Sequence, residues 1–143
     1  MTTFSGRCHC SNLQIVFETG FTFANLPLRA CQCSFCRAHG AVTAADPKGR
    51  VTLTVTDSAQ ILHYRFGLGI TDFLVCARCG VFMAAVMEID GALYASINTN
   101  VLTVRAQLQI LPQPVDYTGE TAEKRRARRK KHWTPVAFDG TRA

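Results

Sequence analysis

Apolar and polar residues alternate with a period of two along much of this chain, and that period predicts β-strands. Residues 13–18 (LQIVFE) put Leu13, Ile15 and Phe17 on one face, and residues 51–55 (VTLTV) interleave apolar positions with threonine, the pattern of a half-buried strand. Residues 61–66, 72–75, 81–88, 93–98 and 106–111 predict further strands. Asp90-Gly91 supplies a hairpin-type turn, and Gly67-Leu68-Gly69 reads as another turn just ahead of a cysteine pair. Helical signals are confined to a short turn after Cys33 and to residues 121–132. Pro112-Gln113-Pro114 closes the strand-rich part. Residues 1–114 are therefore expected to form one mainly β domain, with residues 115–143 a basic tail or helix packed on it or extending from it.

Composition narrows the class. A chain of 143 residues with 48% hydrophobic and 18% charged positions can bury a core, which excludes wholesale disorder. The longest apolar run, residues 81–87, falls well short of the ~20 residues of a membrane helix. Residues 1–10 carry neither the basic start nor the apolar stretch of a secretory signal, so a soluble, cytoplasmic protein with no membrane partner is expected. The net charge of +6 is concentrated: seven of the eight residues 124–131 are Lys or Arg. Without them 9 basic residues face 10 acidic ones, so the basic character belongs to one segment and not to the body.

The seven cysteines fall into three clusters: Cys8-His9-Cys10, Cys31-Gln32-Cys33-Ser34-Phe35-Cys36 and Cys76-Ala77-Arg78-Cys79. An odd number cannot all form disulfides, and thiols two or three positions apart suit a soft divalent cation such as zinc. An iron–sulfur cluster and redox or buried thiols are the lesser readings. Seven divides as four plus three. The compact trio Cys31, Cys33 and Cys36 can surround one metal from a single loop, leaving an open position. The flanking pairs Cys8, Cys10 and Cys76, Cys79 then complete a closed, structural site across about 66 residues. His39, three residues beyond Cys36, offers a rival, because a fourth ligand there would close the second site as Cys3His.

The order Cys-x-Cys, Cys-x-Cys-x2-Cys, Cys-x2-Cys-Gly resembles the glutathione-dependent formaldehyde-activating enzyme family, the GFA domain shared with centromere protein V. Gly6-Arg7-Cys8-His9-Cys10, the middle trio with Arg37, residues 73–80 (FLVCARCG) and Ala95-Ser96-Ile97-Asn98 carry the likeness, which covers roughly residues 4–112. It implies the Mss4-like β-tent of short antiparallel sheets, with two zinc knuckles and a short C-terminal helix. It also implies a structural zinc on Cys8, Cys10, Cys76 and Cys79 and a functional one on Cys31, Cys33 and Cys36. The implied activity is a carbon–sulfur lyase reaction on glutathione adducts of a small aldehyde such as S-hydroxymethylglutathione. Arg129 and Trp133 resemble the arginine-containing stretch and tryptophan in which such domains often end.

The residues themselves suggest how that chemistry would run. A zinc ion on three thiolates can hold an incoming thiol as thiolate, which adds to an aldehyde to give a hemithioacetal; the reverse step breaks the C–S bond. His39 is the candidate acid/base, and Arg37 the candidate partner for a substrate carboxylate. Arg65 and Asn98, at strand ends expected near the knuckles, are weaker candidates for substrate contact. The rival from another class is a non-catalytic, zinc-stabilised binding module whose basic segment takes nucleic acid or an acidic partner. A near-neutral body without basic–aromatic interleaving makes nucleic acid the less favoured partner.

Overall fold

The structure is a computed structural model and describes residues 1–140 and 142. It is mainly β, in a tent of two wings. The first wing is β1 (Thr2–Arg7), β2 (Leu13–Thr19) and β5 (Arg50–Val55), joined in antiparallel order β1-β2-β5. Alternation explains β2 and β5 directly: Leu13, Ile15, Phe17, Val51 and Leu53 are buried while their neighbours face outward. The second wing is the meander β6 (Ile61–Tyr64), β7 (Asp72–Cys76), β8 (Phe82–Ile89) and β9 (Ala92–Asn98). Asp90 and Gly91, both at positive φ, make the turn between β8 and β9. Strand β8 is buried on both faces, which is why its sequence is a continuous apolar run.

The far edge of β9 is shared. Ile97 and Asn98 pair with the two-residue β4 (Thr43–Ala44), which leads on to β3 (Arg29–Cys31) and then β10 (Gln113–Val115). Tyr94 and Ala95 pair with the first residues of β11 (Thr134–Asp139), whose remainder lies parallel to β5. One strand thus passes from wing to wing and seams them together. Two pairings, β10 with β3 and β11 with β5, are parallel, a departure from the all-antiparallel expectation. Both strands return from long connections, so their direction is free of the hairpin constraint.

Helix α1 (Ser34–His39) occupies the expected turn after Cys33. Helix α2 (Ala122–His132) starts from Thr121, whose hydroxyl accepts the Lys124 N–H at 3.2 Å. The division expected at residue 114 marks a change of composition; spatially, β11 lies between β5 and β9, and Trp133 is buried against the second wing. The strand expected over residues 106–111 does not form. That stretch begins in a 3₁₀ turn (Arg105–Gln107), and its Ile110 and Leu111 are exposed. Its alternation has no sheet face to cover: the bridge from strand β1, Gly6 to Leu102, falls before this segment, and the Gln109 N–H bonds to the carbonyl of Phe23 in a loop.

That bridge sets a test. A methyl group on Gly6 would run into the Val101 carbonyl, whereas one on Gly20 would meet nothing within 4 Å. Gly6→Ala is expected to cost about 1–3 kcal/mol in urea unfolding, and Gly20→Ala less than about 0.5 kcal/mol.

Candidate metal centres and the cavity beside them

Two turns of similar build present the first four sulfurs. In residues 8–13 the Cys8 N–H donates to the Leu13 carbonyl at 2.9 Å and Ser11 N–H to the Cys8 carbonyl at 3.1 Å. In residues 76–81 the Cys76 N–H donates to the Val81 carbonyl at 3.0 Å and Gly80 N–H to the Cys76 carbonyl at 2.7 Å. Each turn closes through one residue at positive φ, Ser11 at 66° and Gly80 at 79°. The two turns meet at the open end of the tent. Sγ of Cys10 lies 3.5 Å from Sγ of Cys76 and 3.8 Å from Sγ of Cys8, and all four sulfurs lie within 4.8 Å of one another. A tetrahedral zinc with bonds of about 2.3 Å separates its sulfurs by about 3.8 Å, so the donor set fits that ion. Burial pushes the Cys8 thiol up to about 11, a cost that a bound cation removes by taking the thiolate.

The trio is built differently. Cys31 ends β3, Cys33 is the N-cap of α1 with its sulfur accepting the Cys36 N–H at 3.4 Å, and Cys36 is buried in the first turn. Their sulfurs also lie within 4.8 Å of one another, and among the described residues no fourth His, Cys, Asp or Glu joins them. A hydrogen bond from Cys36 brings Cys31 down to about 5, and the same contact together with burial drives Cys36 upward. Three thiols so placed suit a soft cation with a position left over.

That position faces a cavity of about 500 Å³ lined by all three cysteines. Its floor is the second wing, including Phe73, Phe82 and Ala85. A β-bulge opposite Leu74 and Val75 adds Met83 to β8; Met83 joins the inner core, while Phe82 faces the other side, edge-on to Phe35 at 5.0 Å. The walls are residues 66–71 between β6 and β7, residues 115–121, and the inner face of α2 with Trp133.

The predicted site residues divide accordingly. Cys31, Cys33 and Cys36 reach the cavity; Arg37 and His39 are exposed and do not line it. The His39 ring rests on Phe35 at 4.5 Å. Arg65 is tied to Asp72 at 2.6 Å, and Asn98 is buried, donating to the Phe82 carbonyl at 2.9 Å. The sequence points to Arg129 and Trp133 only through the family resemblance, and does not pair Glu120 with the arginines of the basic helix. Glu120 accepts from Arg128 at 2.8 and 3.0 Å and from Arg125 at 3.0 Å, and Arg128 lies 3.5 Å over the Tyr117 ring. Arg129 is buried against Trp133, with its guanidinium carbon 4.2 Å from the ring centre. The i, i+4 spacing of Arg129 and Trp133 was the available signal.

Fold and cysteine geometry define a β-tent protein with two cysteine clusters that could form zinc knuckles. The model of the glutathione-dependent formaldehyde-activating enzyme family (GFA) matches residues 3–120, and the chain belongs to that family. Among solved structures, a Rhodobacter sphaeroides protein is 26% identical with a TM-score of 0.54, over 77% of this chain and 97% of its own. No protein of curated function matches the chain.

Glu120 carries a prediction for the α2 wall. Hydrogen bonding from Arg128, opposed by burial and reinforced by Arg125, holds its carboxyl near 2, against an ordinary value of 4.5. Its stabilisation is therefore complete above pH 4.5 and lost as the pH falls toward 2. Glu120→Gln is expected to lower stability at pH 7 by about 1–3 kcal/mol. The gap from wild type should narrow in urea unfolding at pH 3.

Proposed function

We propose that this protein is a zinc-dependent carbon–sulfur lyase acting on glutathione adducts of a small aldehyde, of the S-hydroxymethylglutathione type. The single observation that carries the reading is the trio of sulfurs opening onto a cavity with no fourth protein donor among the described residues. Cys8, Cys10, Cys76 and Cys79 would hold a structural zinc, and Cys31, Cys33 and Cys36 a second one. That second ion would supply a site where a thiol is kept as thiolate and a carbonyl oxygen is polarised. In the cleavage direction the C–S bond breaks, its electron pair stays on sulfur, the hydroxyl carbon becomes the aldehyde carbonyl, and the hydroxyl proton leaves for solvent. The reverse addition returns a proton to that oxygen. The chain's part is to hold the reactants: Phe73, Phe82 and Trp133 shed water from the reacting carbon, while α1 fixes Cys33 and Cys36 in one turn. His39 stands off the cavity, so proton exchange with solvent is favoured over transfer through its imidazole.

A binding-module reading through the basic helix has less behind it. Arg125 and Arg128 are spent on Glu120, Arg129 is buried, and Lys130 pairs with Asp90 at 2.8 Å. Lys124, Arg126 and Lys131 remain as a small exposed set.

Zinc content and turnover test the proposal together. Wild type should bind two zinc ions per chain, and Cys33→Ser about one, with its melting transition kept and adduct turnover down by about 10²-fold or more. Cys79→Ser should fail to fold stably, and His39→Ala should keep both ions and its turnover within about threefold. Undiminished turnover in Cys33→Ser, or loss of a zinc ion in His39→Ala, sinks the assignment.

A further inference from the structure

Arg129 is a buried cation without a counter-ion. Only 8% of its surface is exposed, it lines the cavity, and no carboxylate among the described residues lies within ion-pair distance of it. One terminal nitrogen (Nη1) is occupied by the Thr71 hydroxyl and the Met87 sulfur, and the plane stacks on Trp133. Its Nε–H is fully buried and donates to nothing. An orphaned donor on a buried charge destabilises the unliganded protein. Burial, then the neighbouring Arg128 and Arg125, bring this guanidinium down to about 9, a sign of the missing anion. Glu120 and Cys31 oppose that shift without reversing it, and Arg129 makes no hydrogen bond to either.

The charge around the cavity specifies the ligand. Four arginines, Arg29, Arg125, Arg128 and Arg129, face two carboxylates, Asp116 and Glu120. Three thiolates carrying a divalent cation add one more negative charge, leaving a single positive charge on the wall. A phosphate dianion would overshoot it; a carboxylate matches, and its planar oxygens suit a guanidinium edge.

We propose that Arg129 is the specificity-determining residue of this cavity, receiving a carboxylate of the ligand on its free terminal nitrogen, Nη2, while the ligand's sulfur end lies toward Cys31, Cys33 and Cys36. The carboxylate supplies the counter-ion that the protein does not, and takes the donor edge left open on the cavity side. Ligands of this class are carboxylate-bearing thiols and their S-substituted forms. The assignment rests on the proposed thiol chemistry for the sulfur end, but the two can fail separately.

The test uses S-methylglutathione, which has no free thiol, and its dimethyl ester. Trp133 is the single tryptophan and stacks on Arg129, so its fluorescence reports binding at this wall. Wild type should bind the acid at least about tenfold more tightly than the diester. Arg129→Met, its fold checked by circular dichroism, should bind both at the diester's affinity, and Arg129→Lys should regain part of the preference. Equal affinity of acid and diester for wild type, a preference that survives in Arg129→Met, or no saturable binding of the acid overturns the assignment. If Arg129→Met fails to fold, Arg129→Lys decides the matter: an acid preference undiminished from wild type overturns the assignment. A cobalt(II)-loaded protein whose absorption is unmoved by free glutathione would remove the thiol reading and leave the carboxylate result standing.

Discussion

Four sulfur atoms gathered within 4.8 Å, from turns separated by 66 residues, are the constraint on which the rest of this structure depends. The turn at residues 8–13 joins β1 to β2 in one wing, and the turn at residues 76–81 joins β7 to β8 in the other. Pulling them together fixes the angle of the tent and encloses the inner core of Phe4, Leu13, Ile15, Phe17, Val51, Leu53, Met83 and Ile97. Protein contacts brace the same junction. Buried Asn12 exchanges hydrogen bonds with the backbone of Asp57 at 2.8 and 3.1 Å, and Ala77 N–H donates to the Gln60 carbonyl at 2.7 Å. Closing a loop of that length carries an entropy cost that grows only slowly with its span, so one well-made cluster can offset it.

The two cysteine clusters differ in how the backbone presents them, and their different chemical fitness follows. Each knuckle turn satisfies its own backbone groups and offers two sulfurs, so two turns facing each other make a closed set of four. The trio draws its sulfurs from the end of a three-residue strand and the first turn of a six-residue helix. That short geometry supplies three donors on one side and leaves the other side to the cavity. Nothing in the number of cysteines alone requires this; it follows from Cys33 doubling as the helix N-cap, which aims its sulfur back along the helix start.

Strands β2 and β5 were legible in the sequence because each has a full period-two pattern with one face to bury, whereas β1, whose inward positions are Phe4 and Gly6, has too little apolar surface to show one. The cysteine partition was legible for the same local reason: each pair or trio sits in one turn. Strands β3 and β4, of three and two residues, are too short to express a period. Strands β10 (QPV) and β11 (TPVAFD) contain proline, which argues against a strand unless the neighbours of that residue need no N–H from it. Residues 106–111 erred in the other direction, since alternation reads as a strand only where a partner edge exists. Arg129 was singled out only by the family resemblance, and its burial was hidden for an electrostatic reason. Within a run of seven cations one side chain is buried, and only its packing on Trp133 and Thr71 separates it from the solvated rest.

The cavity and the seam of the sheet are completed by the same few residues. Trp133 ends α2, with its N–H donating to the Arg129 carbonyl at 2.7 Å, and the next residue begins β11. There the Thr134 hydroxyl accepts the Asp46 N–H at 2.7 Å, and the Asp46 carboxylate accepts the Thr19 hydroxyl at 2.6 Å, which ties the segment to the first wing. The helix cannot take its place over the trio unless β11 has entered between β5 and β9, because no flexible connection separates the two elements. The wall that carries Arg129 is thus coupled to closure of the sheet, and the basic segment, which along the sequence looks like an appendage, is the lid frame of the site. Its charge density is explained from inside: Arg125 and Arg128 clamp Glu120, Arg129 points its charge into the cavity, and Lys130 reaches across to Asp90 on the turn after β8.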